Sequence, residues 1–303
     1  MLAKATNLYQ SLTEAARLSG RTRASIVHDL RHIRGGSKYH LGMTEYFDLG
    51  LFRREWYDAS ALRDFAGWRL IGLIQKTSNV NSKPWHIFGN DKLAMYQLCQ
   101  ANGLPVPTSV AYLSREARHA RGLSVHQDPE ALLEELIECA HDRLFAKPVN
   151  GRYGGDAHVL TLTELAQDQV HVTTSAGTQQ LSRAAYAGKL RKHLDDYPGM
   201  LFQVCLQQDP VVAELAGGNL SGLRVGIVKR NGRARSFATV FKVNLGGNIT
   251  DNFEHGYSGN LLANIDLETG TVNRVIQGYG AAASEITTIR GRCITGVFFI
   301  CQI

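Results

Sequence analysis

The residues with the clearest chemical potential lie in one stretch, Phe145-Ala146-Lys147-Pro148-Val149-Asn150-Gly151-Arg152-Tyr153-Gly154-Gly155. Apolar residues lead into a lysine and a proline, then into a loop with three glycines, then into the apolar run His158–Leu162. This order predicts strand, loop, strand. Glycine admits positive φ and lets a backbone approach a ligand closely. Successive loop N–H groups form a concavity suited to an anion. Lys147, at the end of the first strand, would set a positive charge beside that concavity, and phosphate is the natural guest. A glycine-rich hairpin with a surface lysine would carry the same letters. The stretch is not a P-loop, because no Gly-Lys-Ser/Thr follows and no helix obviously opens there.

The surrounding chain limits what such a site could serve. Its 303 residues allow one large domain or two modest ones. A hydrophobic fraction of 44% with 20% charged residues is that of an ordinary globular protein. The net charge of +6 gathers in two places, Arg17, Arg21, Arg23, Arg31 and Arg34, then Lys229, Arg230, Arg233 and Arg235. A mild basic excess suits nucleic acid and phosphorylated small molecules alike. The early arginines fall on several faces of a helix without interleaved aromatics, so a solvated surface is the better account and no nucleic-acid partner is expected. Nothing resembles a signal peptide and no apolar run reaches the length of a membrane span, so a cytoplasmic protein is expected. Cys99, Cys139, Cys205, Cys293 and Cys301 form no C-x-x-C pair and read as reduced thiols. His28 and His32 share a helix face without a third metal ligand.

The elements that must position Lys147 follow from periodicity and breakers. Residues 5–34 read as helix, with Leu8, Leu12, Ala15 and Leu18 and then Ile26, Leu30 and Ile33 at helical spacing. Residues 43–75 read as two short helices, and Tyr46, Phe47, Phe52, Trp56, Tyr57, Phe65 and Trp68 are taken as helix packing. Asn90-Asp91-Lys92 opens a helix to Gln100, and Asp128-Pro129 opens another to residue 141. Arg183–Leu194 is a helix and Leu201–Leu206 a strand. Gly222–Lys229 and Ala234–Val243 are strands joined by a tight Asn231-Gly232 turn. The centre is therefore α+β with mostly antiparallel pairing. The expected division is a helical region over 1–86, a first lobe over 87–200 and a second lobe over 201–303.

Taken in order, these motifs resemble the ATP-grasp superfamily, and within it the sugar-transfer associated ATP-grasp family, found with polysaccharide-building enzymes. The resemblance runs from about Lys38 to Gly270. It rests on Tyr46–Phe52, Asn90-Asp91-Lys92, Gly103–Pro107, Phe145–Pro148 with its glycine loop, Leu201-Phe202-Gln203, Leu223-Arg224-Val225, and Asp251-Asn252-Phe253 with Gly256 and Gly259. It implies two α+β lobes clamping ATP. Lys92 and Lys147 would handle phosphates, and the loop Gly151, Arg152, Tyr153, Gly154 and Gly155 would close over them. Gln203 and the backbone of Val204 to Leu206 would meet the adenine edge. Asp209 or Glu214 would accept from the ribose. Arg224, taken to lie on an interior strand, and Asn252 would face the transferred phosphate.

The same resemblance implies an ATP-dependent carboxylate–amine or related ligase working through an acyl phosphate. Its substrates would be a small-molecule or sugar-linked carboxylate and a nucleophile. It also implies Mg²⁺, held by acidic residues and a Glu-x-Asn near the C-terminus. Here the chain reads Ala281-Ala282-Ala283-Ser284-Glu285-Ile286 and ends Val297–Ile303, with no Glu-x-Asn, so no metal ligand is assigned. A nucleotide-binding module without catalysis, or a truncated remnant, is the alternative reading. The region after about residue 280 is then expected to pack weakly or irregularly, and the apolar tail to promote self-association.

Overall fold

The structure, a computed structural model, describes residues 2–36, 41–58, 60, 62, 65–77, 82–245 and 247–296. The tail Val297–Ile303, its Cys301 and Lys38 lie outside the described residues.

The opening helical pattern resolves into two helices, α1 (Leu2–Ser19) and α2 (Arg23–Gly36), broken at Gly20 with φ 64°. The break turns Arg21 back to Asp29 (2.8 Å), Ser25 Oγ (2.7 Å) and the Phe52 carbonyl (3.1 Å). Arg54 (2.6 Å) and the Tyr46 hydroxyl (2.7 Å) also donate to Asp29. Burial alone would raise this carboxyl, but hydrogen bonds from Arg21 and Tyr46 hold it below the usual range. Around it Ala15, Ile26, Leu30 and Ile33 pack with Tyr46 of α3 (Met43–Asp48) and with Leu51 and Phe52. Phe47, Tyr57 and Phe65 join this core as expected, but Trp68 is 65% exposed and the Trp56 ring lies against the guanidinium groups of Arg53 and Arg274. Arg53 also donates to the carbonyls of Ala281 (3.1 Å) and Ala283 (2.8 Å), which ties the helical region to the far end of the chain.

Three helices follow, α4 (Trp68–Thr77), α5 (His86–Asn90) and α6 (Lys92–Ala101). Next come β1 (Ser109–Ser114), β2 (Ser124–His126), β3 (Arg143–Pro148), β4 (His158–Thr161), β5 (Gln169–Thr174), β6 (Gly177–Ser182) and β7 (Gly199–Val204). They form a sheet in the order β2-β1-β7-β3-β4-β5-β6, antiparallel throughout except β1 with β2. Helices α7 (Pro129–Ile137) and α8 (Arg183–Asp196) contribute to its core. Leu132, Leu136, Tyr186 and Leu190 meet Leu144, Ala146, Leu160 and Phe202 there.

The second sheet runs β12-β11-β10-β9-β8. Its strands are β8 (Gly222–Arg230), β9 (Arg233–Val243), β10 (Leu261–Ile265), β11 (Val272–Gln277) and β12 (Ser284–Glu285). Asn231 and Gly232 both take positive φ, 51° and 75°, as a type I′ hairpin requires. Val212 and Ala216 of α9 (Pro210–Ala216) pack on Phe241, Val243, Ala263 and Val275.

Two expectations are corrected here. Strand β8 is the edge of its sheet, not an interior strand, because among the described residues its only pairing is the hairpin with β9. The segment after residue 280 is irregular over its described length, with strands of two residues each, but two of its apolar residues anchor it firmly. Ile289 of β13 (Thr288–Ile289) and Ile294, just beyond β14 (Arg292–Cys293), are buried in the second core. Apolar side chains at those positions find a waiting sheet face, whatever motif the segment lacks.

Gly199 opens β7 in the middle of the first sheet. A Cβ there would stand 2.3 Å from the Tyr112 hydroxyl and 2.5 Å from the Leu113 carbonyl. Gly199→Ala should therefore destabilise the protein by about 1–3 kcal/mol, read as a fall in the denaturant midpoint at unchanged slope.

Candidate functional site

Strand alternation makes one wall of the site. In β3, Leu144 and Ala146 point into the core, so Arg143, Phe145 and Lys147 point the other way. Pairing aligns Gln203, Phe145, Val159 and Thr173 across four strands as a cross-strand row. These residues line a cleft of about 790 Å³, a size that suits a small ligand. The opposite wall comes from Gly218–Leu220, Gly222 and the segment Gly247–Asn252.

Lys92 and Lys147 both line this cleft, near enough that the charge of Lys92 acts on Lys147. Asp91 caps α6 by accepting from Leu93 and Ala94 (both 2.9 Å), and so fixes the backbone from which Lys92 projects. Lys92 Nζ donates to the carbonyls of Gly151 and Val149. Burial lowers its ammonium, with Asp91 opposing. Lys147 is half-buried, and among the described residues nothing accepts a hydrogen bond or ion pair from its ammonium. Burial, with Lys92 adding to it, pulls Lys147 down to about 8.

The glycine loop bridges the walls. Gly154 has φ 75°, and a Cβ on it would lie 2.8 Å from Asn252 Nδ2 and 3.1 Å from Thr250. Asn252 donates to the carbonyl of Tyr153. Neighbouring Tyr153 and Asp156 adopt left-handed φ of 57° and 58° without being glycine, a local strain. The Tyr197 hydroxyl donates to Asp156, which anchors the far end of the loop.

On the second wall, two asparagines, each 1% exposed, hold the segment that faces the loop. Asn244 Nδ2 donates to the carbonyls of Asn248 and Thr250 (both 3.1 Å). Asn260 Nδ2 donates to those of Thr250 (3.1 Å) and Asn252 (2.8 Å). Asp251 binds Lys242 (2.7 Å) and passes so close to Gly222 that a Cβ there would meet its carboxylate at 2.6 Å.

Of the residues expected from sequence, Lys92, Lys147, Gly151, Gly154, Gly155, Gln203, Val204, Leu206 and Asn252 line the cleft. The Gln203 amide is already committed, donating to the Pro107 carbonyl (3.2 Å) and Ser109 Oγ (3.0 Å). The others do not line it. Arg152 turns to Asn90 (3.2 Å), and Tyr153 is exposed, offering only its carbonyl. Asp209 caps α9 through Val211 (2.9 Å), and Glu214 pairs with Arg292. Arg224 is exposed on the edge strand, one pleat beyond Gly222. Residues that the sequence reading missed are Phe145, Val159 and Thr173, legible from alternation, and Lys242 with Asn244 and Asn260, which carry no local signal.

An α+β clamp with a glycine loop over paired lysines defines a nucleotide-binding protein of the ATP-grasp kind. The chain matches the sugar-transfer associated ATP-grasp family over residues 75–286, more than two thirds of its length, and belongs to that family. No curated protein and no solved structure matches it. Family membership makes it an ATP-binding, ligase-like protein of sugar-transfer context. Among the described residues no helix is long and apolar enough to cross a membrane.

ATP-grasp proteins generally bind ATP with Mg²⁺, and a pair of such ions needs several carboxylate oxygens. Among the described residues Asp251 is the sole carboxylate lining the cleft, and Lys242 holds it. No group of three or more His, Cys, Asp or Glu that could hold a metal occurs among the described residues. This donor set does not fit a two-ion site.

The Lys147 shift has a stability consequence. Unfolded, this lysine keeps its proton to about 10.5, and folded only to about 8. Between those values the unfolded state binds more protons, so stability rises with pH across that window. Lys147→Met should stabilise the unliganded protein by about 1–3 kcal/mol below pH 8, with the difference shrinking toward pH 10.5. Denaturation of both proteins at several pH values measures this.

Proposed function

We propose that the chain binds ATP in this cleft and uses it to activate a carboxylate, sugar-linked or small, for attack by an amine or related nucleophile. The observation that carries the reading is Lys147, a half-buried cation without a described anionic partner, beside Lys92 and under the glycine loop. Such a pair gains most from a polyanion. The adenine would rest on the row of Phe145 and Val159, with the Val204–Leu206 backbone at its edge. The phosphates would reach Lys92, Lys147 and the N–H groups of Gly151–Gly155.

A carboxylate oxygen would attack the γ-phosphorus, the bond to the β-phosphate oxygen would break, and ADP would leave. The nucleophile would then add to the acyl phosphate, lose its proton and expel inorganic phosphate. Arg224 and Asn252 are proposed to steady the transferred group. This chemistry asks for positioning and charge stabilisation, not a covalent side chain. The division at residues 86 and 200 is kept as a proposal for the lobes.

A second reading, a nucleotide-binding module without catalysis, is favoured by one observation: the cleft's sole described carboxylate is already paired with Lys242. ADP release with candidate carboxylate and amine pairs separates the two, since a module releases none. ATP affinity in excess Mg²⁺ and in excess chelator should differ strongly for the ligase and hardly for the module.

Binding an anion restores the Lys147 proton. ATP affinity should stay level below pH 8 and weaken as pH rises from about 8 toward 10.5. Lys147→Ala should weaken ATP binding at least about tenfold and remove this pH dependence. A Lys147→Ala variant that binds ATP like the parent protein at pH 7 would sink the assignment.

A further inference from the structure

Residues 215–250 contain no aspartate or glutamate, yet they hold Arg224, Lys229, Arg230, Arg233, Arg235 and Lys242. The register of the β8–β9 hairpin sorts these charges. Directly paired residues share a face, and alternate residues of a strand share a face. Lys242 pairs with Gly222, Arg224 with Val240, Val228 with Arg235, and Arg230 with Arg233. Gly222, Arg224, Gly226, Val228 and Arg230 alternate along β8, so Arg224, Arg230, Arg233, Arg235 and Lys242 stand on one face. Lys229 stands on the other.

Two observations give the row a direction and a purpose. Gly222, at its inner end, lines the nucleotide cleft, so the row leads from that cleft to the hairpin tip. At the rise of an antiparallel strand it is about 27 Å long. Arg230 and Arg233 are also direct cross-strand partners, and like charges so placed destabilise a sheet. Among the described residues no carboxylate pairs with Arg224, Arg230, Arg233 or Arg235. The fold gains nothing from this pattern, but an extended anion would. The residues between the charges are Gly226, Val228, Ala238 and Val240, and at the bulge in the hairpin the exposed ring of Phe237 lies over Gly226, a single aromatic surface and not the run of them on which successive nucleic-acid bases stack.

We infer that the hairpin row binds an acidic glycan, a linear sugar chain with repeated carboxylates, and guides one carboxylate toward the cleft. The inference rests on the ligase reading above and names its substrate class. The row supplies charge at intervals along a groove wall, so a chain gains several contacts where a monomer gains one.

Oligogalacturonate, a linear chain of sugar carboxylates, is the probe. It should bind the full chain at least about tenfold more tightly than monomeric galacturonate, with affinity that falls steeply as salt rises. Replacing the three tip arginines together (Arg230→Ser, Arg233→Ser, Arg235→Ser) should weaken that binding at least about tenfold and flatten its salt dependence. ATP affinity should stay within about twofold, and Lys229→Ser, on the opposite face, should leave oligogalacturonate binding unchanged. Equal binding of monomer and oligomer, an undamaged triple variant, or a Lys229→Ser variant as damaged as the triple one overturns the proposal. So does tighter binding of duplex DNA or of phosphatidylserine vesicles. The monomer comparison and the salt series need only the unaltered protein, so a variant that fails to fold still leaves a deciding result. Loss of ATP binding in the unaltered chain would sink the ligase reading itself, whereas intact ATP binding with indifference to the oligomer sinks only this inference.

Discussion

Two ammonium groups held near each other in a half-dry cleft are the constraint around which the molecule is arranged. Burial of the Lys147 ammonium is the larger cost and repulsion from Lys92 adds to it, and the fall of Lys147 to about 8 expresses both. Most of the surrounding structure serves to keep the arrangement in place. Asp91 fixes the start of α6, the carbonyls of Val149 and Gly151 engage Lys92, and a seven-stranded sheet fixes the direction of Lys147. A core of Leu144, Ala146, Leu160 and Phe202 makes that sheet stiff enough to hold an unfavourable charge.

The second wall solves a different problem. It must carry irregular backbone next to the first wall without leaving buried carbonyls unmet. Asn244 and Asn260 do so, each spreading one amide group over two carbonyls of the 248–252 segment. Gly154 removes the side chain that would hold the walls apart, and Gly222 lets Asp251 lie close within the second wall.

Much of this was legible in sequence because it depends on local rules. The Asn231-Gly232 hairpin, the Asp91 and Asp128 caps and the strand before Pro148 follow from turn, capping and alternation chemistry. The glycine loop over Lys147 was legible for the same reason. Asp209 was a local signal passed over: Asp209-Pro210 is the same capping pair as Asp128-Pro129, and the cap on α9 spends the carboxylate that looked free to serve a ribose. The helix over 5–34 breaks at Gly20, which takes the left-handed φ that ends a helix, with Thr22 accepting from the Ser25 N–H at the start of the next, a stop that the continuing apolar spacing hid. Nonlocal features were not legible. Arg224 looked interior because strand order is a tertiary property, and β8 is an edge. The segment after residue 280 seemed adrift because its burial depends on a sheet face built by β9, β10 and β11.

The bond from Asn252 to the Tyr153 carbonyl acts as a latch across the mouth of the cleft. It joins a strained loop to a rigid cage, so the two sides open at very different cost. Tyr153 and Asp156 in left-handed conformations store tension that is released when the loop swings out, whereas the asparagine cage has nothing to gain by moving. Motion at the mouth therefore falls to the loop. Opening the mouth on the loop side asks one hydrogen bond and a glycine seam to give, while the asparagine cage stays as it is.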